Sequence, residues 1–347
     1  MSERHPLSVA EPGADQRAAW DRFVREHPDG TFFHLSGWKP VLESAFKHKV
    51  TLLAAWRGRE IHGVLPLVEL RNRIFAKALV STAFCIYGGP VARDREAGAE
   101  LDAAARALAE RRGVDFLEYR LRVPFDADRP CRDDLHATFR KRIDGDHDAN
   151  LKAIPRKQRA VVRKAIEGDL ESHVTDSLDS FYRLYATSVR NLGTPVFGRR
   201  YLDALKAEFG DACDVLLVSR DGAPVSGVLS FYFRDEVLPY YGGGTPAARR
   251  LGANDFMYWE LMRHAADRGY RTFDFGRSKV GSGAYAFKKN WGFTPERLSY
   301  EYYLVKANAL PDTNPSNPKY RRAIAAWRRM PLWLANCIGP AVARELG

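Results

Sequence analysis

Residues 214–233 read DVLLVSRDGAPVSGVLSFYF, and residues 50–70 read VTLLAAWRGREIHGVLPLVEL. In both, an apolar run breaks at a charged turn, around Gly58 in one and Gly222 in the other. A second apolar run then leaves through Gly63-Val64-Leu65 or Gly227-Val228-Leu229. Runs of this length and composition on either side of a turn signal predict a β-hairpin in each place. Working outward, the landmarks recur in order. IYGGP from Ile86 follows the first hairpin and YYGGG from Tyr240 the second. Each is followed by a helical stretch and then a strand, in RGVDFLEYR from Arg112 and RGYRTFDFGR from Arg268. The copies lie about 155 to 165 residues apart, the size of one ordinary domain. The pattern predicts a duplicated α/β unit, with a mixed central β-sheet flanked by helices in each copy. The alternative is two unrelated α/β segments that share hairpin vocabulary.

At 347 residues, 45% hydrophobic and 12% aromatic, the chain can fill two cores. The expected copies span residues 15–150 and 151–308, followed by a basic amphipathic tail at 309–347. MSERHPLSVAEPGADQ is polar with no apolar leader core, and no later run approaches the roughly 18 apolar residues of a membrane span. These features predict a cytoplasmic protein. Cys85, Cys131, Cys213 and Cys337 are widely separated, without a CxxC or a His-rich neighbour, and are expected to be buried free thiols. His34, His48 and His264 also lack ligand spacing, so no metal site is expected. Fifty-four Lys and Arg against 43 Asp and Glu leave a net charge of +11, which favours anionic partners.

The second copy is the richer in chemistry. Asn254 or Asp255 is expected to cap a helix whose apolar surface is Phe256, Trp259, Leu261, Met262 and Ala266, with Gly269 as its stop. In the next strand, TFDF, alternation sends Phe273 and Phe275 to one face and Asp274 to the other. AYAFKKNWGF, residues 284–293, then sets Lys288 and Lys289 between Tyr285, Phe287, Trp291 and Phe293. On the residues alone, this can be an amphipathic turn whose lysines reach solvent over buried rings. The first copy has nothing similar after FLEY.

The order of hairpin, strand, helix and strand resembles the GNAT acyltransferase fold. The stretch from YYGGGTPAARRLGANDF to AYAFKKNWGF, with RNLGTPVF at Arg190, resembles the FemAB group of tandem-GNAT peptidyltransferases. The likeness is greatest to the branch associated with PEP-CTERM/exosortase exopolysaccharide loci. It implies amide-forming transfer without a covalent nucleophile or a tightly bound cofactor. The donor would be aminoacyl-tRNA or acyl-CoA, and the acceptor an amine-bearing muropeptide or saccharide of the cell envelope. Phe287-Lys288 matches the family's FKxxxG element, in which a lysine lies by the donor's phosphate-bearing end and can stabilise oxyanion or leaving-group charge. Lys289 is its neighbour. Arg249, Gly252 and Asn254 fall where ordinary GNAT enzymes carry the pyrophosphate loop, with Asn254 departing from the usual small residue.

Further candidates have two readings each. Asp274 is a proton acceptor or the ion-pair partner of Arg277. Tyr241, beside Tyr240, orients a carbonyl or packs. Gly242, Gly243 and Gly244 allow close approach of a ligand or a bend. Arg277, Ser278 and Lys279 read as an anion-contacting turn. Arg156, Lys157, Arg159, Arg163 and Lys164 form a solvated helical face or an RNA-binding one, and no signature of a dedicated nucleic-acid-binding domain accompanies them. The tail, PKYRRAIAAWRRMPLWLANCIGPAVARELG from Pro318, either completes the second core or lies in an anionic membrane interface, which would make the protein peripheral at the inner face of the membrane. A non-catalytic accessory protein of an export locus is the reading outside enzymology.

Overall fold

The computed structural model describes residues 5–71, 76–311 and 318–346. The chain forms two compact units. The first is Met1–Asp134 with Arg297–Thr313 and Glu345–Gly347, and the second is Leu135–Glu296 with Asn314–Arg344. These limits differ from the boundaries at 150/151 and 308 expected from the repeat.

In the first unit the strands are β1 (Leu7–Ala10), β2 (Lys49–Arg57), β3 (Glu60–Arg71), β4 (Lys77–Ser81), β5 (Val91–Ala92), β6 (Phe116–Leu121) and β7 (Cys131–Arg132), and the helices are α1 (Arg17–Glu26), α2 (Trp38–Phe46) and α3 (Arg95–Arg112). The second unit has β8 (His136–Arg142), β9 (Leu170–Thr175), β10 (Cys213–Arg220), β11 (Ala223–Phe233), β12 (Glu236–Gly244), β13 (Thr272–Asp274), β14 (Ser278–Lys279) and β15 (Pro295–Arg297). Its helices are α4 (His147–Ala153), α5 (Arg156–Ile166), α6 (Asp179–Leu192), α7 (Arg199–Phe209), α8 (Ala248–Leu251), α9 (Ala253–Asp267), α10 (Gly283–Asn290), α11 (Pro318–Arg329) and α12 (Leu332–Ala343). A last strand, β16 (Ser299–Leu304), returns to the first sheet.

The first sheet runs β1-β2-β3-β4-β6-β16-β7, with β5 beside β3. Its helix α3 starts where the Asp94 carboxylate accepts from Ala97 N at 2.8 Å, and it buries Leu101, Ala105, Leu108 and Ala109 in the core. The second sheet runs β14-β8-β13-β12-β11-β10-β9, with β15 beside β8. Each sheet therefore takes a strand that the repeat pattern assigned to the other copy: β8 lies antiparallel to β13, and β16 lies antiparallel to β6. Sequence order located the landmarks but not this exchange, because a strand's partner is a nonlocal choice.

The predicted hairpins are present. Asp221 and Gly222, at φ of +50° and +73°, form a two-residue turn between Arg220 and Ala223, the left-handed pair that matches strand twist. The tyrosine-glycine landmarks diverge. Tyr240–Gly244 ends β12, whereas the first copy's Tyr87-Gly88-Gly89 lies in a loop beyond β4. The helix α9 also starts differently from expectation. Gly252, at φ +65°, separates it from α8 and occupies the cap position, so Asn254 and Asp255 fall inside its first turn. Cys85 and Cys213 are buried as expected, but Cys131 and Cys337 are exposed.

The tail docks on the second unit. A Cβ on Gly339 would lie 2.8 Å from Val196 Cγ1, and one on Gly193 would lie 2.5 Å from Ile324 Cγ2, so small residues permit close packing. Arg190 Nη1 donates to the carbonyls of Arg328 and Met330 at 3.3 and 3.4 Å, closing the end of α11.

Candidate functional site

The second sheet divides at β12. This strand pairs in parallel with β13 only at Glu236–Thr272 and Val237–Phe273. Beyond that point β12 stays with β11 as far as Gly244, while the chain after β13 follows β8, with Phe275 N donating to Phe139 O at 2.8 Å. A register slip against Leu229 and Ser230 leaves Tyr240 as an extra residue in β12, the bulge that turns the strand aside. The backbone ladder therefore parts, as a wedge, between Tyr240–Gly244 and the loop through Gly276 and Arg277.

Lys288 stands on that loop. Its helix α10 begins where Ser282 Oγ accepts from Tyr285 N at 3.2 Å, and Trp291 and Phe293 are buried just past its end. Together with Tyr285, whose ring lies 5.2 Å from that of Phe139, and Phe287, 6.2 Å from Phe275, these two rings hold α10 against the core of the second unit. Lys288 Nζ donates to the carbonyls of Gly276 at 2.9 Å and Arg277 at 3.2 Å, and lies 5.5 and 5.8 Å from the ring centroids of Phe139 and Phe275. Burial pulls its pKa down to about 7, against the pull of Asp274, with Arg277 lowering it further. Near neutral pH this amine is poised between charged and neutral forms. Lys289 is exposed, 5.9 Å from the Tyr285 ring centroid.

Asp274 has no exposed surface. Its carboxylate accepts from Gly276 N at 2.8 Å and from Thr138 Oγ1 at 3.5 Å, and lies 3.3 Å from Arg140 Nε. Arg140 also pairs with Glu236. The geometry makes Asp274 a support for the Gly276–Arg277 carbonyls that hold Lys288, and a buried site is a correction to its expected role as an open proton acceptor. Ser278 is also buried, with no hydrogen-bond partner for its Oγ, so it presents no surface to an anion. Arg277 is half-buried at the loop.

The other expected residues lie elsewhere in the unit. Tyr241 is buried on the α6 and α7 face, its hydroxyl 3.0 Å from that of Tyr201 and its ring 5.6 Å from Tyr185, so it packs rather than meeting Lys288. The glycines divide by role. A Cβ on Gly243 would come within 2.6 to 2.7 Å of the backbone of Leu184 and Tyr185, so this glycine lets α6 approach. A Cβ on Gly242 would instead face α9, 3.4 Å from Tyr258 Oη. Gly252 is half-buried beside α5: its Cβ would lie 3.2 Å from Ala165 Cβ, while Arg249 remains exposed. Asn254 Oδ1 would lie 3.1 Å from a Cβ on Gly244, at the end of β12.

Two residues join these parts: Tyr258, which sequence reading missed, and Asp255, which it named only as a helix cap. Tyr258, on α9, packs its ring 4.7 Å from Phe275 and 5.7 Å from Phe287, and so spans the wedge from Gly242 to α10. Burial, with Asp255 adding to it, pushes its phenol up to about 12, so it remains a donor at neutral pH. Asp255 Oδ1 accepts from Trp291 Nε1 at 3.0 Å and Gln158 Nε2 at 2.5 Å, tying α9 to α10 and α5. The available signal was helical spacing, since Tyr258 lies one turn beyond Asn254 and Asp255.

Residues 152–289 match the acetyltransferase (GNAT) domain family. Over 145 residues the chain is 25% identical to the lipid II:glycine glycyltransferase of Staphylococcus haemolyticus, a match covering 39% of this chain and only 34% of that protein. Among solved structures, FemX superposes with a TM-score of 0.69 at 16% identity, over 91% of this chain and 100% of that one. A tandem GNAT protein from the clavulanic acid biosynthesis pathway superposes with a TM-score of 0.54 at 15% identity, over 88% and 100%. Among the described residues no group of His, Cys, Asp or Glu could hold a metal, and no helix is long and apolar enough to cross a membrane. The divided sheet, the helix bearing Lys288 and the domain match agree: the chain has the tandem GNAT-like fold, and its second unit carries an acyltransferase domain of the GNAT type.

Proposed function

We propose that the protein transfers an aminoacyl or acyl group onto an amine of a cell-envelope precursor, with Lys288 at the reacting centre. The observation that carries this reading is the lowered pKa of Lys288, whose amine is fixed on two carbonyls beside the wedge. In the reaction the acceptor nitrogen attacks the donor carbonyl, a C–N bond forms, and the tetrahedral intermediate expels the donor's ester or thioester heteroatom. The proton lost by the nitrogen ends on that leaving atom. The Lys288 ammonium stabilises the negative charge that develops, and its pKa near neutrality suits it to pass the proton. Tyr258 donates to the acyl oxygen from the opposite side of the wedge, while Asp274 and Arg140 hold the supporting loop.

For the donor we favour aminoacyl-tRNA over acyl-CoA. Helix α5 packs against half-buried Gly252, on the side where its Cβ would lie, and so narrows the loop that a pyrophosphate would need. The same helix exposes Arg156, Lys157, Arg163 and Lys164, and α8 adds Arg249 and Arg250. Helix α5 runs about 16 Å. It starts at Pro155, 2.9 Å from a Cβ on Gly292 just past α10, and ends beside Gly252. Its cations thus follow a path from the Lys288 helix to α8 that suits a phosphodiester backbone. The likeness to a lipid II:glycine glycyltransferase supports a muropeptide acceptor. An amino sugar of an exosortase-associated exopolysaccharide, acylated from CoA, is the second reading, and the sequence resemblance to the PEP-CTERM-associated branch favours it. Incubating the protein with charged tRNAs or acyl-CoAs and with muropeptide or amino-sugar acceptors, followed by mass spectrometry, decides between them. Absence of any amide product with all combinations would refute the transferase reading and leave an accessory role.

A further inference from the structure

The helix α12 docks through one stripe and leaves the other bare. Ala335, Gly339 and Ala343, four residues apart, face the second unit and are buried. On the far side Trp333 is 68% exposed, with Cys337 and Ala341 also exposed, and Ile338, 40% exposed, stands at the edge of that side. From Leu332 to Ala343 the helix has no charged residue. A helix apolar on both faces belongs in an interior, and one left half bare marks a surface that something covers. Beside α11, Leu192 at the end of α6 is 66% exposed, and its carbonyl accepts from Arg328 Nη2 at 3.3 Å.

Charge identifies the cover. Between Pro318 and Arg344 the sequence carries Lys319, Arg321, Arg322, Arg328, Arg329 and Arg344, and no acid. Arg322, Arg328, Arg329 and Arg344 lie exposed on the tail. A second copy seated on this face would bring arginines against arginines, at a cost that grows with each pair. A layer of anionic headgroups over hydrocarbon satisfies both components, taking up Trp333 and Ile338 and neutralising the cations.

We propose that α11 and α12 form a docking surface for an anionic lipid bilayer, fastened to the second unit by the Ala335-Gly339-Ala343 stripe and offering Trp333 and Ile338 to the membrane. The two readings of the tail open in the sequence thus combine, since the helix completes the unit with one face and meets lipid with the other. This inference does not depend on the identity of donor or acceptor.

The test is sedimentation of the full-length protein with vesicles of phosphatidylglycerol and phosphatidylcholine, and with phosphatidylcholine alone. The protein should pellet with the anionic vesicles and stay in solution with the neutral ones, and 0.5 M salt (roughly a 4 Å screening length) should release it. Arg322→Glu with Arg329→Glu should weaken binding by about 25-fold or more, at about fivefold for each basic residue lost near an anionic surface. Trp333→Ser with Ile338→Ser should weaken it comparably, and both double variants should keep the wild-type melting temperature because these side chains are exposed. Equal sedimentation with neutral vesicles, no sedimentation at all, or dimerisation in solution that Trp333→Ser with Ile338→Ser abolishes would each overturn the proposal. The last of these would assign the face to a second copy.

Discussion

Replacing Lys288 by methionine keeps an unbranched side chain of similar length and removes the charge. The pKa falls from 10.5 to about 7 on folding, so the unfolded chain binds the proton more tightly than the folded one. At about 1.4 kcal/mol per unit, the full displacement sets a ceiling of about 5 kcal/mol. Partial exposure and relaxation around the ammonium reduce the expected effect to about 2 kcal/mol. The sign follows from proton binding. Below about pH 7 both states carry the charge and the fold bears the whole penalty; between about pH 7 and 10.5 the folded amine is neutral and the penalty fades. Wild-type stability should therefore rise through this window relative to the methionine variant. Urea unfolding at pH 6.5, 8 and 9.5, followed by tryptophan fluorescence, measures the gap between the two proteins. Other groups lowered by burial, Lys141 among them, cancel in that difference. Turnover is the second readout. Lys288→Met should lower it tenfold to a thousandfold, in the range for loss of an oxyanion donor. Lys288→Arg, charged throughout, should lack the alkaline fall that begins near pH 7 in the wild type. Parallel stability curves together with superimposable pH–rate profiles for wild type and Lys288→Arg would refute the assignment.

Tyr258→Phe should lower turnover about tenfold with little change in melting temperature, because the ring contacts to Phe275 and Phe287 remain; an unchanged kcat in steady-state assays would remove the phenol from the reaction. Gly243→Ala should destabilise the second unit by about 1–3 kcal/mol through collision with the α6 backbone, whereas Gly242→Ala should leave the fold intact and raise KM, a contrast readable by thermal melts beside kinetics. Gly252→Val should cost stability through its left-handed φ and the contact with Ala165, so a selective loss of donor affinity at unchanged stability would show that the loop opens to the donor after all. Charge reversal at Arg163 and Lys164 should weaken a tRNA donor and steepen no CoA dependence, and equal effects on both donors in competition binding would count against the α5 path.

The sequence by itself determined the local units. Apolar runs around Asp221-Gly222 set a hairpin, because a left-handed pair is written into those two residues, and the spacing of Phe256, Trp259 and Met262 set a helix whose buried face the structure confirms. The alternation in TFDF separated Asp274 from Phe273 and Phe275, since side-chain direction in a strand has period two. The lysine in AYAFKKNWGF drew notice for the same reason, as a charge among rings that must be buried. Tertiary structure decided what depends on distant partners. It brought β8 to β13 and β16 to β6, set Asp274 beside Arg140, and sent Tyr241 to Tyr201 on the other face of the sheet. It placed α5 beside Gly252 and Tyr258 across the wedge. Each of these rests on contacts between residues far apart in the chain, whose energies depend on burial and approach and leave no periodic mark in the order of amino acids.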